Sequence, residues 1–172
     1  DFSDGDDEGL RAMAAYQGRC GVTSFAPASM TLPYDVLSKA FGAAKRLKEE
    51  APAGLARLMG IQMEGPFFSE KKKGAQNGAY LRDPDFEAFQ ALEEGCGGLI
   101  RIVDVAPELP GSVEFIEKAK ALCTVSVAHT DASYDEAKAA FDAGATHVTH
   151  LDNATAGIHH RKPGVIAAAV DH

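Results

Sequence analysis

The hydrophobic positions of this chain alternate between short continuous apolar runs and apolar residues at helical spacing. The first run, over 21–26, predicts a short strand. Pro33 then begins a stretch in which hydrophobic residues recur three and four positions apart, which predicts a helix. The hydrophobic residues of that stretch are Val36, Leu37, Ala40 and Ala44.

The same alternation continues along the rest of the chain. Further apolar runs predict strands over 58–64, 99–105, 124–129 and 146–151. A loop that contains glycines and lysines covers 65–82. Helices are predicted over 84–94, from an N-terminal cap at Ser112, over 134–143 between a cap at Ser133 and Gly144, and from Pro163 onward.

Repeated strand–helix units with short connections favour a parallel sheet covered by helices. Two α/β architectures fit this pattern, an open doubly wound sheet and part of a (β/α)₈ barrel. A whole barrel needs about 250 residues, whereas this chain has 172. Composition does not change abruptly anywhere, so residues 1–172 are expected to form one domain, which as a barrel would be partial.

Charge and composition narrow the classes of partner. Lys and Arg number 17 against 25 Asp and Glu, which gives a formal net charge of −8. This sign disfavours binding to a nucleic-acid backbone. The longest apolar runs are far shorter than a membrane span, and residues 1–8 are acidic where a signal peptide would be basic. We therefore expect no nucleic-acid or membrane partner and a cytoplasmic location.

The cysteines carry no recognisable chemistry. Cys20, Cys96 and Cys123 are odd in number, far apart and without C-x-x-C spacing. Neither a disulfide framework nor a thiolate zinc site is indicated, and a reducing compartment is favoured.

Three candidate ligands stand at the carboxyl ends of three predicted strands. They are Glu64, His129 and His150. Because the loops that follow parallel strands converge at one edge of the sheet, these side chains are expected to meet there. One carboxylate and two imidazoles suit zinc or another first-row divalent ion and leave a coordination position open for water. The pattern therefore predicts a catalytic metal site.

Simpler interpretations of the same residues remain open at this point. A single histidine at a strand end is more often a hydrogen-bonded part of the scaffold than a metal ligand. An arginine side chain would neutralise the Glu64 carboxylate as well as a metal ion does. His147 shares a strand face with Thr149 and should point away from His150, so we interpret it as packing against a helix.

Six short blocks follow one another along the chain in a specific order. They are 60–67 (GIQMEGPF), 72–77 (KKGAQN), 106–108 (APE), 128–132 (AHTDA), 149–154 (THLDNA) and 161–164 (RKPG). In this order the chain resembles the N-acetylglucosamine-6-phosphate deacetylases of the amidohydrolase superfamily. The likeness covers essentially the whole chain.

The resemblance implies a metal-dependent barrel enzyme that removes acetate from N-acetylglucosamine 6-phosphate and leaves glucosamine 6-phosphate. On the family pattern, Glu64, His129 and His150 bind the divalent ion. Zinc is the metal expected, with iron, manganese and cobalt as alternatives. Such an ion polarises the amide carbonyl and lowers the pKa of water.

The resemblance also implies groups that bind the amino-sugar phosphate. Asn153 and the backbone amide of Ala154 would contact it, and Gln76 stands where many members have a histidine on the phosphate side. Arg161 would reach the phosphate in the neighbouring subunit of a homodimer. Asp152 and Thr155 depart from the aromatic residue and the methionine that are usual in the family, so packing against the substrate would differ.

The family pattern also implies that this chain is an internal part of the enzyme. The catalytic aspartate is expected beyond His172, and no catalytic residue is assigned within the chain. The first barrel strand, the small β-domain and the last barrel strands have no counterpart here. General acid–base groups contribute roughly 10²–10⁴-fold to rates, so little turnover is expected from the chain alone.

Three hypotheses follow. The first is a metal-dependent deacetylase, represented by its central strand–helix units. The second is a catalytically inactive truncated barrel that serves as a sugar-phosphate binding or assembly module. The third is a complete open α/β protein whose candidate ligands lie too far apart to share an ion. An interrupted barrel exposes strand edges, so association into oligomers is expected.

Overall fold

The computed structural model describes all 172 residues, and helices alternate with short strands throughout. The α-helices are α1 (Asp7–Arg19), α2 (Tyr34–Glu50), α3 (Phe86–Gly95), α4 (Ser112–Ala119), α5 (Tyr134–Ala143) and α6 (Gly164–Asp171). The strands are β1 (Ser24–Phe25), β2 (Arg57–Leu58), β3 (Ile61–Met63), β4 (Ile100–Val105), β5 (Thr124–Val127) and β6 (His147–Val148). Single 3₁₀ turns cover Phe2–Asp4, Glu70–Lys72 and Gly78–Tyr80.

All strand pairs are parallel, as the repeated strand–helix units predict. One sheet has the order β3-β4-β5-β6, and β1 pairs with β2. A parallel bridge between Ala28 and Gln62 connects the segment after β1 to β3. Because β2 and β3 are successive pieces of the run predicted over 58–64, the strands form one row of five units.

Gly60 explains the break between β2 and β3. A Cβ at this position would lie 2.8 Å from the carbonyl oxygen of Leu99 and 2.1 Å from Cγ of Arg101. Only glycine permits so close an approach between the strands. The register of β3 against β4 shifts immediately after this point, between Ile61 and Gln62.

The hydrophobic core lies between the helices and the sheet. Phe67, Phe89 and Phe115 are buried together, with the ring of Phe115 5.0 Å from Phe67 and 5.5 Å from Phe89. These edge-to-face contacts join the loop after β3 to α3 and α4. The core therefore fixes the segment that directly follows Glu64.

Helix α1 was missing from the expected pattern. Asp6 caps it by accepting hydrogen bonds from the amides of Glu8 and Gly9, and its buried face includes Leu10 and Ala14. An acidic cap followed by apolar residues four apart is a helix-start pattern. The signal was therefore present in the sequence.

The predicted cap of α4 at Ser112 is wrong. Gly111, with φ 81°, occupies the cap position, and Ser112 is the first helical residue. The Ser112 hydroxyl is buried and donates to the carbonyl oxygens of Ala106 and Leu109 instead. The cap of α5 is confirmed, because Ser133 and Glu136 form a reciprocal capping box.

Strands β3, β5 and β6 are shorter than predicted at their carboxyl ends, whereas β4 ends at residue 105 as predicted. Regular pairing stops at Met63, Val127 and Val148, before each of the candidate ligands. Glu64 is the first residue beyond its strand, and His129 and His150 each lie two residues beyond theirs. No helix combines the length and the apolar character needed to cross a bilayer.

Candidate metal centre

Glu64, His129 and His150 come together as the sequence predicts. Their ligand atoms all lie within 4.8 Å of one another. Oε1 of Glu64 is 3.1 Å from Nε2 of His129 and 3.7 Å from Nε2 of His150. The two Nε2 atoms are themselves 3.1 Å apart. This arrangement overturns the hypothesis of an open sheet whose ligands are too far apart.

The other nitrogen of each imidazole determines where its proton lies. Nδ1 of His129 is 2.9 Å from the carbonyl oxygen of Lys72, and Nδ1 of His150 is 2.9 Å from that of Asn153. A carbonyl oxygen only accepts, so both rings hold their proton on Nδ1. In the neutral rings both Nε2 atoms therefore present lone pairs toward the Glu64 carboxylate.

These three acceptors need a positive centre between them. Two imidazole lone pairs and a carboxylate oxygen face one another with no hydrogen-bond donor among them, which is repulsive unless a cation or proton intervenes. No arginine pairs with Glu64, so that alternative interpretation is wrong. The donor set fits a divalent ion with two nitrogen ligands and one oxygen ligand.

The pKa shifts of Glu64 and His129 also indicate that the cluster favours a positive charge. The hydrogen bond to His129 lowers the pKa of Glu64 against the opposing effect of burial, and the charges of both imidazoles assist. Burial alone would lower the pKa of His129, but the hydrogen bonds to Glu64 and the Lys72 carbonyl raise it overall. A proton on Nε2 of His129 thus partly takes the place of a cation.

Both histidines have an unusual backbone conformation. His129 has φ 44° and His150 has φ 37°, which are left-handed values that side chains with a Cβ rarely adopt. Such conformations cost about 1–3 kcal/mol and concentrate at functional sites. They occur two residues beyond β5 and β6, where both imidazoles face Glu64.

The cluster opens toward solvent on one side. The His129 side chain is only 7% exposed and stacks on Phe68, whereas the His150 side chain is 31% exposed. An ion here would consequently be reached from the His150 side. This leaves room for a further ligand, as a catalytic site requires.

Gln76 supports Glu64 from within the protein. It is buried, its Oε1 accepts from the amide of Thr31 at 2.7 Å, and its Nε2 lies 3.4 Å from Oε1 of Glu64. The hydroxyl of Ser29 accepts from the amide of Glu64 at 3.2 Å. Ser29 and Thr31 were not among the predicted site residues, because nothing local links the segment after β1 to Glu64.

Gly65 allows the chain to turn away immediately after Glu64. Its φ is 94°, and a Cβ there would lie 2.2 Å from Oγ1 of Thr31. That hydroxyl is the one buried side-chain polar atom of the chain without a hydrogen-bond partner. The space beside Glu64 therefore requires glycine for both steric and conformational reasons.

The carboxylate of Glu108 holds the loop that follows β5 through two hydrogen bonds. Glu108 accepts from the hydroxyl of Thr130 at 2.5 Å and from the amide of Asp131 at 2.7 Å. The amide of Thr130 in turn donates to the carbonyl oxygen of Ala154 at 3.0 Å. These bonds connect the segment after His129 to the segment after His150.

The other predicted binding residues lie along the same edge. Asn153 is linked to His150 through its backbone carbonyl, and its side chain accepts from the amide of Ala154 at 3.0 Å. Arg161 is exposed and lines a cleft with Asp131 and Lys162. Gln76 is buried on the Glu64 side of the cluster.

His147 shares a face with Thr149, as strand alternation predicts. Both contact the hydroxyl of Ser126, which is 2.9 Å from Nδ1 of His147 and 2.8 Å from Oγ1 of Thr149. The interpretation of His147 as a simple packing residue missed this hydrogen bond.

Comparison with known proteins shows what the chain is similar to. No protein-family model matches it. It is 41% identical over 155 residues to the N-acetylglucosamine-6-phosphate deacetylase of Bacillus subtilis, which covers 88% of this chain and 39% of that protein. It is 42% identical over 150 residues to the human protein of that name, covering 85% of this chain and 36% of that protein.

The structural comparison agrees. A crystal structure of N-acetyl-D-glucosamine-6-phosphate deacetylase from Mycobacterium smegmatis matches 100% of this chain and 44% of its own with a TM-score of 0.93 and 31% identity. The predicted resemblance and the partial (β/α)₈ barrel are therefore confirmed. The chain spans about two fifths of the length of the proteins it matches.

Proposed function

We propose that this chain carries the divalent-metal centre of an enzyme that hydrolyses the N-acetyl group of N-acetylglucosamine 6-phosphate to acetate and glucosamine 6-phosphate. The observation that carries the metal part is the convergence of Glu64, His129 and His150 with no donor among their facing atoms. The reaction is supported by the 41% identity to a protein named for it.

Zinc is the proposed ion, with iron, manganese and cobalt as alternatives. Two imidazoles and a carboxylate suit all four ions, and both Nδ1 atoms already have the carbonyl partners that orient imidazole ligands. A bound ion would polarise the amide carbonyl of the substrate and lower the pKa of water. Gln76 holds the Glu64 carboxylate in place during this chemistry.

Two of the proposed substrate groups, Asn153 and the amide of Ala154, lie close to His150. Asn153 and the amide of Ala154 would bind the amino-sugar phosphate, and Gln76 would face its phosphate side. Support comes from the hydrogen bond between His150 and the Asn153 carbonyl, which couples the metal ligand to this segment. Arg161 would bind the phosphate across a homodimer, for which its exposure and positive charge are suitable.

The proposal assigns no general base among these residues. Glu64 is committed to the ion, and Asp104 is fully buried in β4. This chain by itself is therefore expected to bind metal and sugar phosphate with little acetate release. The three free cysteines are consistent with a reducing, cytoplasmic setting.

The test is a calorimetric titration of the metal-free chain with zinc, followed by N-acetylglucosamine 6-phosphate. We expect one zinc per chain and then binding of the phosphorylated sugar, with N-acetylglucosamine as the unphosphorylated comparison. His129→Ala should remove zinc binding. His160→Ala, an exposed histidine outside the cluster, is the matched control.

Each outcome is decisive for one part. Failure of the wild-type chain to bind zinc, or undiminished binding by His129→Ala, would overturn the metal centre. Zinc binding without binding of N-acetylglucosamine 6-phosphate would contradict the proposed substrate. Acetate release at an enzymatic rate in the same samples would overturn the expectation that this chain alone has little turnover.

A further inference from the structure

Asp104 is a fully buried carboxylate near the carboxyl end of β4. Its strand, β4, lies between β3 and β5 yet contributes nothing to the cluster of Glu64, His129 and His150. A carboxylate without contact to solvent is costly unless its oxygens are hydrogen-bonded. Its partners therefore indicate what it does.

Polar side chains from the neighbouring strands converge on Asp104. Nε2 of Gln62 donates to its Oδ2 at 2.9 Å, and Oγ1 of Thr149 donates to its Oδ1 at 2.8 Å. Gln62 also reaches Oγ1 of Thr149 at 3.1 Å. Ser126, opposite Asp104 in β5, links Thr149 to His147.

The direction of these hydrogen bonds follows from the groups involved. The amide nitrogen of Gln62 only donates, and Thr149 uses its single hydroxyl proton toward Asp104. Ser126 must then donate to Thr149 and accept from Nδ1 of His147. The hydrogen bonds therefore run from His147 through Ser126 and Thr149 to the Asp104 carboxylate, which also accepts from Gln62.

Two of these partners adjoin proposed metal ligands. Gln62 is two residues before Glu64 on the same strand face, and Thr149 directly precedes His150. Since β4 and β5 separate β3 from β6 in the sheet, the contact between Gln62 and Thr149 spans the inside of the curved sheet.

We propose that Asp104 is a positioning residue: it binds Gln62 and Thr149 together and so fixes the two strand ends that present Glu64 and His150 to the ion. This inference rests on the proposed metal centre. A purely stabilising role is a poorer explanation, because apolar residues commonly replace buried charged groups without loss of stability.

The experiment compares zinc affinity in Asp104→Asn and in a matched control. Asparagine keeps the size of the side chain but has one acceptor oxygen in place of two, so it can no longer accept from Gln62 and Thr149 together. We expect zinc affinity to fall by about 10–100-fold, as for other groups that orient ligands. Glu93→Gln is the control, since Glu93 is also buried and accepts from the amide of Ile100 at 2.8 Å, at the opposite end of β4. It should lower the free energy of unfolding and leave zinc affinity unchanged.

A compensating double variant distinguishes a positioning role of Asp104 from general destabilisation of the chain. The double variant Gln62→Glu/Asp104→Asn exchanges the carboxylate and the amide, so that a carboxylate again accepts from two neighbours, here Asn at position 104 and Thr149. It should recover most of the lost zinc affinity. Unchanged affinity in Asp104→Asn, an equal loss in Glu93→Gln, or no rescue would each overturn the proposal.

A readout on the metal-free chain keeps this test independent of the metal centre. The amides of Gln62 and Thr149 donate to the carbonyl oxygens of Pro27 and Val127, each at 3.0 Å. Asp104→Asn should accelerate hydrogen exchange at both amides, and Glu93→Gln should not. If the wild-type chain binds no zinc, the proposed function fails, and exchange at these amides still supports or overturns the role of Asp104 in fixing the strand ends.

Discussion

Nε2 of His129 lies 3.1 Å from Nε2 of His150, with the two rings inclined at 85°. Each ring is held by a hydrogen bond from Nδ1 to a backbone carbonyl, so the facing nitrogens are both acceptors in the neutral state. Glu64 adds a third acceptor. A proton and a metal ion therefore compete for the same position.

This competition predicts the pH dependence of zinc binding. The pKa of His129 is raised above its ordinary value of 6.5, whereas that of Glu64 is lowered from 4.5, so His129 is protonated first as the pH falls. Zinc affinity should decline by about tenfold per pH unit below the pKa of His129, because one proton must leave. Calorimetry between pH 5 and 8 measures this.

In the metal-free chain, the contribution of His129 to folding stability should have the opposite pH dependence to zinc affinity. A raised pKa of His129 contributes stability that is present below pH 6.5 and is lost as the pH rises through the folded pKa. The lowered pKa of Glu64 contributes stability above pH 4.5, which is lost as the pH falls through its folded value.

Zinc affinity that stays constant from pH 8 to pH 5 would contradict the shared position of proton and metal.

Gly65→Ala should destabilise the chain more than a glycine substitution with a similar backbone angle. Both Gly65 (φ 94°) and Gly21 (φ 85°) have positive φ, but a Cβ at Gly21 meets nothing within 4 Å. The backbone alone costs about 1–2 kcal/mol. The clash of a Cβ at Gly65 with Thr31 adds to this, and urea unfolding of Gly65→Ala and Gly21→Ala measures the difference. Equal losses would show that the space beside Thr31 relaxes freely.

Gln76→Ala should weaken zinc binding without removing a ligand. Gln76 links the amide of Thr31 to Glu64, and loss of such a partner commonly lowers metal affinity by about 10–100-fold. Gln90→Ala is the control, because Gln90 is exposed and contacts only Glu94 on α3 among side chains. Zinc titration of both variants is the measurement, and equal affinities would assign Gln76 a role on the substrate side alone.

Arg161→Ala should weaken binding of N-acetylglucosamine 6-phosphate by about tenfold or more, since a hydrogen bond to a charged group contributes about 1.5–3 kcal/mol. Zinc affinity and binding of N-acetylglucosamine should stay the same. Arg19→Ala, an exposed arginine near the end of α1, is the control. If Arg161 acts across a dimer, the effect grows with protein concentration, and a loss that is equal for both sugars would contradict a phosphate contact.

Local patterns were sufficient to predict much of the fold. The spacing of Val36, Leu37, Ala40 and Ala44 predicted α2, and Ser133 with Gly144 predicted both ends of α5. Helix α1 was overlooked although Asp6 carries a cap signal, and Ser112 was misplaced because Gly111 takes the cap position with a positive φ. Such signals depend on a few consecutive residues, which is why most of them could be interpreted without tertiary structure.

The sequence alone predicts that Glu64, His129 and His150 lie close together, because parallel strands that alternate with helices bring their carboxyl ends to one edge. The surroundings of these three side chains become visible only in the folded chain. The Lys72 and Asn153 carbonyls set the imidazole protons, Gln76 reaches Glu64, and Asp104 joins Gln62 to Thr149. Except for Asn153, which is three residues from His150, these partners come from separate segments that only the folded sheet brings together, so periodicity and spacing do not indicate them.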